Sequence, residues 1–394
     1  MSRSGAAARG ARGARGAQTC GSPSAGPQEA VPTEGFAEQL VAWQRHSGRH
    51  DLPWQKVRDP YRIWLSEVML QQTQVATVLG YYERFLAAFP DVLQLAAAPL
   101  ERVMELWSGL GYYSRARHLH ACAQRIARVH GGVFPSDPAK LVELPGIGRS
   151  TAAAIAVFSA GVRAPILDGN VKRVLCRVFG IAGYPGERAV HERLWELAES
   201  LVPERDIEAY TQGLMDLGAT VCTTRKPRCE NCFARPRCVA YREDRIAVLP
   251  ERKPRRAYPV RAVVMLVLHH AGAVLLQKRA APGIWGGLWC LPEWPRASAM
   301  AAIESFAAER GSIAAVATLA PFVHGFTHFQ LDVEVCAIDL GVRAAFHRPD
   351  DLWLDLEDAR GAALPAPVKR VLEALWQASP LHGAAARPGP GRTV

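Results

Sequence analysis

The distribution of apolar positions divides the chain into two parts with different predicted secondary structure. Between residues 35 and 240, apolar side chains recur every three or four positions, which is the period of an amphipathic helix. The clearest stretch, DPYRIWLSEVMLQQTQVATVLGYYERFLAAF, predicts a helix that begins after Pro60. Further helices are predicted near residues 99–107, 114–130, 148–160, 167–179, 188–202 and 205–217. No alternating strand pattern interrupts this part, so it is predicted to be an all-α domain.

The pattern changes after a charged segment punctuated by prolines, which predicts a linker over residues 241–257. The runs RAVVMLVLHH and AGAVLLQKR that follow predict two strands joined by a glycine turn. A helix near residues 297–310 and a further strand-like run, FQLDVEVCAIDL, come next. These elements together predict an α+β domain over residues 258–378.

The two ends of the chain have a different composition. Residues 1–34 are low in complexity and carry four arginines before the first acid, Glu29, so we predict that they form a disordered basic tail. An arginine-rich, acid-poor start is also typical of an organelle transit peptide, but we favour a basic bacterial tail. Residues 379–394 are predicted to be a second disordered tail.

Length and charge limit the classes of protein to consider. A chain of 394 residues is long enough for two cores. Its net charge of +10 and pI near 9.3 favour a polyanionic partner, nucleic acid first, over a merely solvated basic surface. No apolar run is long enough to span a bilayer, so no membrane partner is expected. Nine thinly spread cysteines do not resemble a secreted disulfide framework and indicate a reducing compartment.

Four of the cysteines cluster in the stretch VCTTRKPRCENCFARPRC, and they are Cys222, Cys229, Cys232 and Cys238. Four thiolates can hold either zinc or an iron–sulfur cluster. Structural zinc usually takes two closely spaced pairs of ligands, whereas only one such pair is present here. The longer gaps on both sides favour a [4Fe–4S] cluster over zinc, and four unbound thiols are a third alternative.

The cysteine loop is also basic. Arg225, Lys226 and Arg228 lie between the first two cysteines, with no acid among them. Folded around a metal centre, the loop would present these cations to a phosphate backbone. The metal could then shape a basic loop without taking part in redox chemistry.

A second candidate for phosphate binding is LPGIGRST, which lies between two predicted helices. Gly146 and Gly148 allow the backbone to turn tightly and to approach a ligand closely. The helix that follows offers free N–H groups and the positive end of its dipole to a phosphate. A plain turn is the alternative, but the flanking helices favour a helix–hairpin–helix that clamps the DNA backbone without sequence specificity.

Two acids are candidates for catalysis. Asp168, in ILDGNVKRVL, lies at a predicted helix start, where aspartate is a favoured N-cap, so capping explains it without catalysis. Glu67, in IWLSEVMLQQTQV, has apolar neighbours within a helix. Burial there would raise the pKa of its carboxyl group and allow it to carry a proton at neutral pH, whereas an exposed position would not.

These motifs occur in an order that resembles a known family. The stretches WLSEVMLQQTQV, GLGYYSRAR, LPGIGRST, LDGNVKRV and MDLGATVC, with the cysteine spacing, resemble the MutY-type adenine DNA glycosylases of the helix–hairpin–helix superfamily. The resemblance covers residues 35–245 and continues into the second domain. It implies an α plus α+β architecture, in which an all-α glycosylase domain with a [4Fe–4S] loop precedes a Nudix-like α+β domain.

The resemblance also implies roles for the acids. Glu67 matches the general acid that protonates adenine, so that the base departs as a neutral molecule. Asp168 matches the carboxylate that stabilises the positive charge developing at the sugar C1′, as in glycosidases with one neutral and one charged carboxyl group. Asn170 would orient this site. Ser150 stands where related endonuclease III-like enzymes carry a Schiff-base lysine, so base removal without an efficient lyase step is expected.

Three further residues match positions that handle the displaced base, because the reaction requires the adenine to leave the stack. Gln72 matches a residue that wedges into the duplex. Tyr112 matches one that stacks beside the lesion, although a tyrosine pair at a helix start is also typical of a core. Gln212 matches a side chain near the flipped adenine, with an exposed helical glutamine as the alternative.

The second domain resembles Nudix-type hydrolases at GIWGGLWCLPEW. Its following segment carries Glu304 and Glu309 but no adjacent pair of glutamates, so nucleotide hydrolysis is not expected. The resemblance implies that this domain instead recognises 8-oxoguanine through GFTHFQ, with Phe326, Thr327 and His328. A β-hairpin with cross-strand aromatic residues is the alternative explanation of the phenylalanines.

The sequence therefore predicts a monofunctional glycosylase that removes adenine opposite 8-oxoguanine or guanine in double-stranded DNA. We expect a monomer in the bacterial cytoplasm with the nucleoid, or in mitochondria or nucleus if the host is eukaryotic. The alternatives are an endonuclease III-like enzyme for oxidised pyrimidines, a zinc-bearing DNA-binding protein without catalysis, and a Nudix hydrolase with a DNA-binding arm.

Overall fold

The computed structural model describes most of the chain between Thr33 and Ala378. The described ranges are 33–253, 259–280, 283–326, 328–345, 348, 350–362 and 364–378. The predicted tails therefore lie almost wholly outside the described residues, as does part of the predicted linker. No helix in the described ranges is both long and apolar enough to cross a bilayer.

The first part of the chain is helical, as predicted. Its helices are α1 (Phe36–Ser47), α2 (Pro60–Leu70), α3 (Val75–Ala88), α4 (Val92–Ala97), α5 (Leu100–Trp107), α6 (Ser114–His130), α7 (Pro138–Val142), α8 (Arg149–Ala160), α9 (Gly169–Val178), α10 (Arg188–Ser200), α11 (Ile207–Asp216) and α12 (Val239–Arg242). The predicted helices 114–130 and 188–202 agree with α6 and α10 to within two residues. Periodicity is a reliable guide here because the apolar faces of these helices are buried in two hydrophobic clusters.

One helix prediction is wrong. The stretch that begins at Pro60 is interrupted, because α2 ends at Leu70 and α3 begins at Val75. Between them Gln72 has a φ of +58°, in the left-handed region that a side chain with a Cβ rarely adopts. The apolar spacing continues across the break, so the pattern did not reveal the turn.

The second part is an α+β domain, also as predicted. Its elements are β1 (Val260–His270), β2 (Ala273–Lys278), β3 (Trp289–Cys290), β4 (Glu293–Pro295), α13 (Ala299–Ala308), β5 (Gly311–Gly325), β6 (Gln330–Arg343), β7 (Asp351–Asp355), α14 (Leu356–Gly361) and α15 (Ala366–Ala378). The main sheet has the order β3-β2-β1-β6-β5, with β4 beside β1 and β7 beside β2. The pairing of β1 with β6 is parallel, and the other pairings are antiparallel.

Both faces of this sheet are covered. Successive residues of β1 alternate between them, so Val264 and Leu266 lie in a cluster with Ile303 of α13, whereas Val263 and Met265 lie in the opposite one. That second cluster includes apolar residues of α15 and runs on into the core of the helical part. Apolar packing therefore joins the two parts of the chain.

Polar contacts reinforce this junction on the side of α5 and α6. The Tyr113 hydroxyl donates to the Leu364 carbonyl at 3.1 Å, and Arg117 Nη1 donates to the Gly286 carbonyl at 2.7 Å. Lys278 Nζ pairs with Glu101 Oε1 at 2.8 Å on the surface. The second domain is thus fixed beside the turn that precedes α6.

Candidate active site

Glu67 lies in the wall of a cleft between α2, α8 and α11. The cleft is lined by apolar side chains such as Trp54 and Phe158, and by the polar side chains of Arg49 and Gln212. Glu67 is only partly accessible, and burial raises the pKa of its carboxyl group to about 8, with the charge of Asp168 as a second cause. The group can therefore hold a proton at neutral pH, which is the buried alternative of the two that the sequence left open.

Asp168 is the N-cap of α9, and its Oδ1 accepts a hydrogen bond from the Val171 amide at 2.7 Å. Burial raises the pKa of the Asp168 carboxyl group. The amides of Val171 and Asn170 and the charges of Arg173 and Lys172 oppose that rise. Among the described residues, no comparable donors or cations stabilise the charge of Glu67. When the two carboxyl groups hold a single proton between them, that proton therefore lies on Glu67 and Asp168 is ionised. Capping and a chemical role are compatible for Asp168.

The residues around Asp168 are held in place by specific hydrogen bonds. Ser150 Oγ accepts from the Leu167 amide at 3.0 Å, which fixes the start of α8 beside the segment that leads to Asp168. Asn170 Oδ1 accepts from Arg173 Nη2 at 2.8 Å. A Cβ at Gly218 would come within 2.6 Å of the Asn170 Cβ, so glycine is required there for α9 to pack closely.

Gln212 belongs to a buried network that the sequence did not reveal. Its Nε2 donates to Asp216 Oδ1 at 2.8 Å, and Arg49 Nη2 pairs with the same oxygen at 2.7 Å. Asp216 is fully buried, so its carboxylate holds both cleft-lining side chains in fixed positions. Gln212 is therefore not the exposed helical glutamine of the alternative interpretation. Asp216 is the last residue of α11, in the stretch MDLGATVC. That stretch gave no sign that Asp216 holds Arg49 and Gln212.

Two turns of the helical domain each contain a residue with left-handed backbone. One turn lies between α2 and α3, and the other lies between α5 and α6. Gln72 has a φ of +58° and Tyr112 a φ of +49°. Tyr112 is 48% exposed, whereas its neighbour Tyr113 is buried, so only one member of the pair belongs to the core. Strained conformations of this kind persist only where the surrounding structure holds them.

Arg115 holds both turns. Its Nη1 donates to the carbonyls of Val68 and Met69 at 2.8 Å each, at the end of α2 where carbonyls lack helical partners. Its Nη2 donates to Thr73 Oγ1 at 3.1 Å and to the Gly111 carbonyl at 3.2 Å. Arg115 is buried, and the sequence offered no signal for its role beyond its place after the tyrosine pair.

The predicted hairpin is present between α7 and α8. Gly146 has a φ of +77°, and a Cβ there would lie 2.6 Å from the His118 Cβ, so a side chain is excluded. Gly148 is the N-cap residue of α8 and carries no side-chain cap, which leaves the amides of the first turn available to an anion. Arg149 is engaged elsewhere, because its guanidinium lies over Trp195 and pairs with Glu199.

The four predicted cysteines surround a single small cavity between α9 and α12. Among the residues that the structure describes, no three metal-binding side chains converge on a point suited to one metal ion. Arg177 Nη1 lies 3.5 Å from Cys222 Sγ and donates to the Thr223 carbonyl at 2.7 Å. The same helix that begins after Asp168 thus also holds the cysteine loop.

The three cations of this loop have different environments. Arg225, Lys226 and Arg228 are all exposed, but only the Arg228 guanidinium is seen to donate a hydrogen bond to the Thr220 carbonyl. In the second domain, the Phe326 ring stacks on Phe329 at 4.4 Å. The rings of His328 and Phe329 are 5.0 Å apart. Thr327 lies outside the described residues.

Comparison with known proteins agrees with this architecture. Residues 65–200 match the model of the HhH-GPD superfamily base excision DNA repair proteins, and residues 263–374 match the NUDIX domain model. The chain is thus of the class of base excision DNA repair proteins that couple a helix–hairpin–helix domain to a Nudix-like domain, and the predicted fold class is confirmed.

Relatives that align with most of this chain identify its family within that class. The chain is 34% identical to an adenine DNA glycosylase of Buchnera aphidicola subsp. Acyrthosiphon pisum, over 86% of this chain and 97% of the relative. It is 31% identical to human adenine DNA glycosylase, over 87% of this chain and 74% of the relative. A thymine-DNA glycosylase of Aeropyrum pernix is 34% identical but aligns with only 54% of this chain. The chain belongs to the adenine DNA glycosylase family, as the sequence resemblance indicated.

Proposed function

We propose that this protein excises adenine paired with 8-oxoguanine or guanine in duplex DNA, as a monofunctional enzyme of base excision repair. The observation that carries the proposal is the buried carboxyl group of Glu67 in the cleft, close enough to Asp168 for the charge of Asp168 to raise its pKa. Glu67, with its pKa raised to about 8, can donate a proton, and the charge of Asp168, which backbone amides and nearby cations stabilise, can face the reacting sugar.

In the proposed reaction the bond between C1′ and N9 of adenine breaks. Glu67 gives its proton to N7, so the base departs neutral, and Asp168 stabilises the positive charge at C1′. A water molecule adds its oxygen to C1′, and the proton it releases restores Glu67. Arg49 and Gln212, both fixed by Asp216, are suited to hydrogen-bond a base that enters the cleft.

The adenine must leave the stack to reach this cleft. Gln72 and Tyr112 lie at the tips of the two turns held by Arg115, and they are the side chains suited to fill the gap. The hairpin amides near Gly146 and Gly148, together with Arg225 and Lys226, would grip phosphates. Phe326 and its neighbours Thr327 and His328 are proposed to contact the base opposite the adenine.

The four cysteines fit a [4Fe–4S] cluster. They line one small cavity, and four cysteine thiolates are the ligand set that such a cluster takes. Bound there, a cluster would act as a structural centre that fixes the loop carrying Arg225 and Lys226. Arg173 and Arg177 already connect this loop to the helix of Asp168.

A single-turnover assay on duplex DNA with one adenine opposite 8-oxoguanine tests the proposal. Wild-type protein should give strand breaks only after alkali, and Asp168→Asn should give none. Breaks without alkali would show lyase action, and Ser150→Lys serves as the variant that should acquire it. Release of oxidised pyrimidines instead of adenine would favour the endonuclease III-like alternative.

A further inference from the structure

The turn at Gly283–Leu288 in the second domain carries a tryptophan in an unusual conformation. Trp285 has a φ of +58°, in the left-handed region where residues with a Cβ are uncommon. Backbone hydrogen bonds hold it there, because Leu288 N donates to the Trp285 carbonyl at 3.0 Å and Gly287 N to the Arg279 carbonyl at 2.8 Å. A strained residue in a well-bonded turn indicates that the position of its side chain matters.

The indole of Trp285 packs on aromatic rings near the end of β5. Its ring centroid is 5.4 Å from that of Phe326 and 5.9 Å from that of His324. The Phe326 ring thus contacts both the indole and the Phe329 ring. The backbone of Phe326 closes the same hairpin by donating to the Phe329 carbonyl at 2.9 Å. The indole therefore sets where the Phe326 ring lies.

The same turn is fixed to the helical domain. The Gly286 carbonyl, next to Trp285, accepts a hydrogen bond from Arg117 Nη1 at 2.7 Å. Arg117 lies in the first turn of α6, and its amide donates to the Tyr113 carbonyl, directly beyond Tyr112. A continuous series of contacts thus runs from the Tyr112 turn through Arg117 and Trp285 to Phe326.

We infer that Arg117 and Trp285 form an interdomain strut that positions Phe326 relative to Tyr112, and that this strut sets the preference for 8-oxoguanine over guanine opposite adenine. The inference rests on the proposed function, in which Phe326 contacts the opposite base. Trp285 is a positioning residue, because it acts through Phe326. Neither residue touches Glu67 or Asp168, so the strut should affect selectivity without affecting the chemical step.

The test compares adenine release from duplexes with 8-oxoguanine or guanine opposite the adenine, using the full chain under single-turnover conditions. At subsaturating enzyme, Trp285→Ala should lower the rate on the 8-oxoguanine duplex by about five- to tenfold, with a much smaller loss on the guanine duplex. The rate constant at saturating enzyme should stay unchanged on both. Trp285→Phe keeps a ring against Phe326 and should retain most of the preference.

Two further variants separate the strut from a general effect on the fold. Arg117→Ala should lower the same preference, and the double variant should lose no more than Trp285→Ala alone, because both act through one path. Glu101→Gln removes a different interdomain contact, the ion pair with Lys278, and should leave the preference unchanged.

Equal losses on both duplexes, or a full preference in both Trp285→Ala and Arg117→Ala, would overturn the strut while leaving the proposed function intact. Wild-type protein that releases no adenine from either duplex would overturn the proposed function and the strut together. Additive losses in the double variant would contradict a single path through Gly286.

Discussion

Glu67 shows how one side chain acquires a chemical role from its surroundings. Its neighbours in the helix are apolar, and burial beside Asp168 raises the pKa of its carboxyl group to about 8. The same carboxyl group on an exposed helix would be ionised at neutral pH and could not donate a proton. The environment of this glutamate, and not its residue type, suits it to the proposed role of general acid.

The protonation of Glu67 predicts the pH dependence of catalysis. The single-turnover rate should fall as the pH rises through about 8, because the general acid loses its proton. Glu67→Gln should lower the rate by about 10²- to 10⁴-fold, the usual contribution of a general acid. Rates measured between pH 6 and 10 check this, and a rate that rises steadily above pH 8 would contradict the assignment of Glu67 as the acid.

The same pKa predicts a change in stability. The folded-state pKa of Glu67 lies above the unfolded value, so the folded protein loses stability as the pH rises from the unfolded pKa toward 8. Glu67→Gln removes the buried charge. The variant should have a higher Tm than wild type at pH 8.5 and a similar Tm near pH 5, as measured by thermal unfolding. The opposite order at pH 8.5 would show that the carboxylate is stabilised by a partner.

One substitution can separate the N-cap role of Asp168 from the catalytic role proposed for it. Asn is as good an N-cap as Asp, so Asp168→Asn should keep the hydrogen bond to the Val171 amide. The change in unfolding free energy should stay within about 0.5 kcal/mol, while adenine release falls to the background rate. Chemical denaturation and the glycosylase assay on one preparation check both halves. If Asp168→Asn keeps its glycosylase activity, Asp168 serves only as the N-cap of α9.

At the scale of elements, Arg115 connects the end of α2 to the turns that carry Gln72 and Tyr112. Arg115→Ala leaves several buried carbonyls without donors and should destabilise the protein by about 2–4 kcal/mol. DNA affinity should fall as well, because both turns lose their support. Arg128→Ala, an exposed change in the same helix, is the matched control and should be near neutral. Similar effects of the two substitutions would contradict the role of Arg115.

The cysteine loop makes a prediction at the same scale. Purified protein should contain about four irons per chain, as a [4Fe–4S] cluster requires. Cys229→Ser should lose that iron together with DNA affinity, while Cys336→Ala in the second domain should keep both. Iron analysis and a duplex-binding assay provide the measurements. Stoichiometric zinc in wild-type protein would instead identify a zinc site.

At the scale of the whole molecule, the net charge of +10 favours DNA binding where the cations lie together on one surface. Lys226 is exposed on the cysteine loop, so Lys226→Ala should weaken binding to any duplex and reduce the salt slope of the binding constant by about one. Lys278→Ala, at the domain junction, should leave the slope unchanged. If Lys226→Ala does not change the salt slope of the binding constant, the DNA backbone does not contact Lys226.

Much of the fold could be predicted from the sequence because its cause is local. Most helix periods, the Asp168 cap, the two hairpin glycines and the two strands around a glycine turn each depend on neighbouring residues, and the structure has them as predicted. The break at Gln72 could not be predicted in this way, because the buried guanidinium of Arg115 holds it from another helix. Asp216 was missed for the same reason, since its partner Arg49 is distant in the chain.

The sequence by itself therefore determined the two kinds of domain, the helix–hairpin–helix and the set of chemical groups available to the site. Only the tertiary structure decided that Glu67 is buried, which tyrosine is exposed, and how the cysteines face one cavity. It also decided that Trp285 and Arg117 meet across the domain junction. Desolvation, burial and contacts between distant residues arise only when the chain is packed, so no local pattern can encode their outcome.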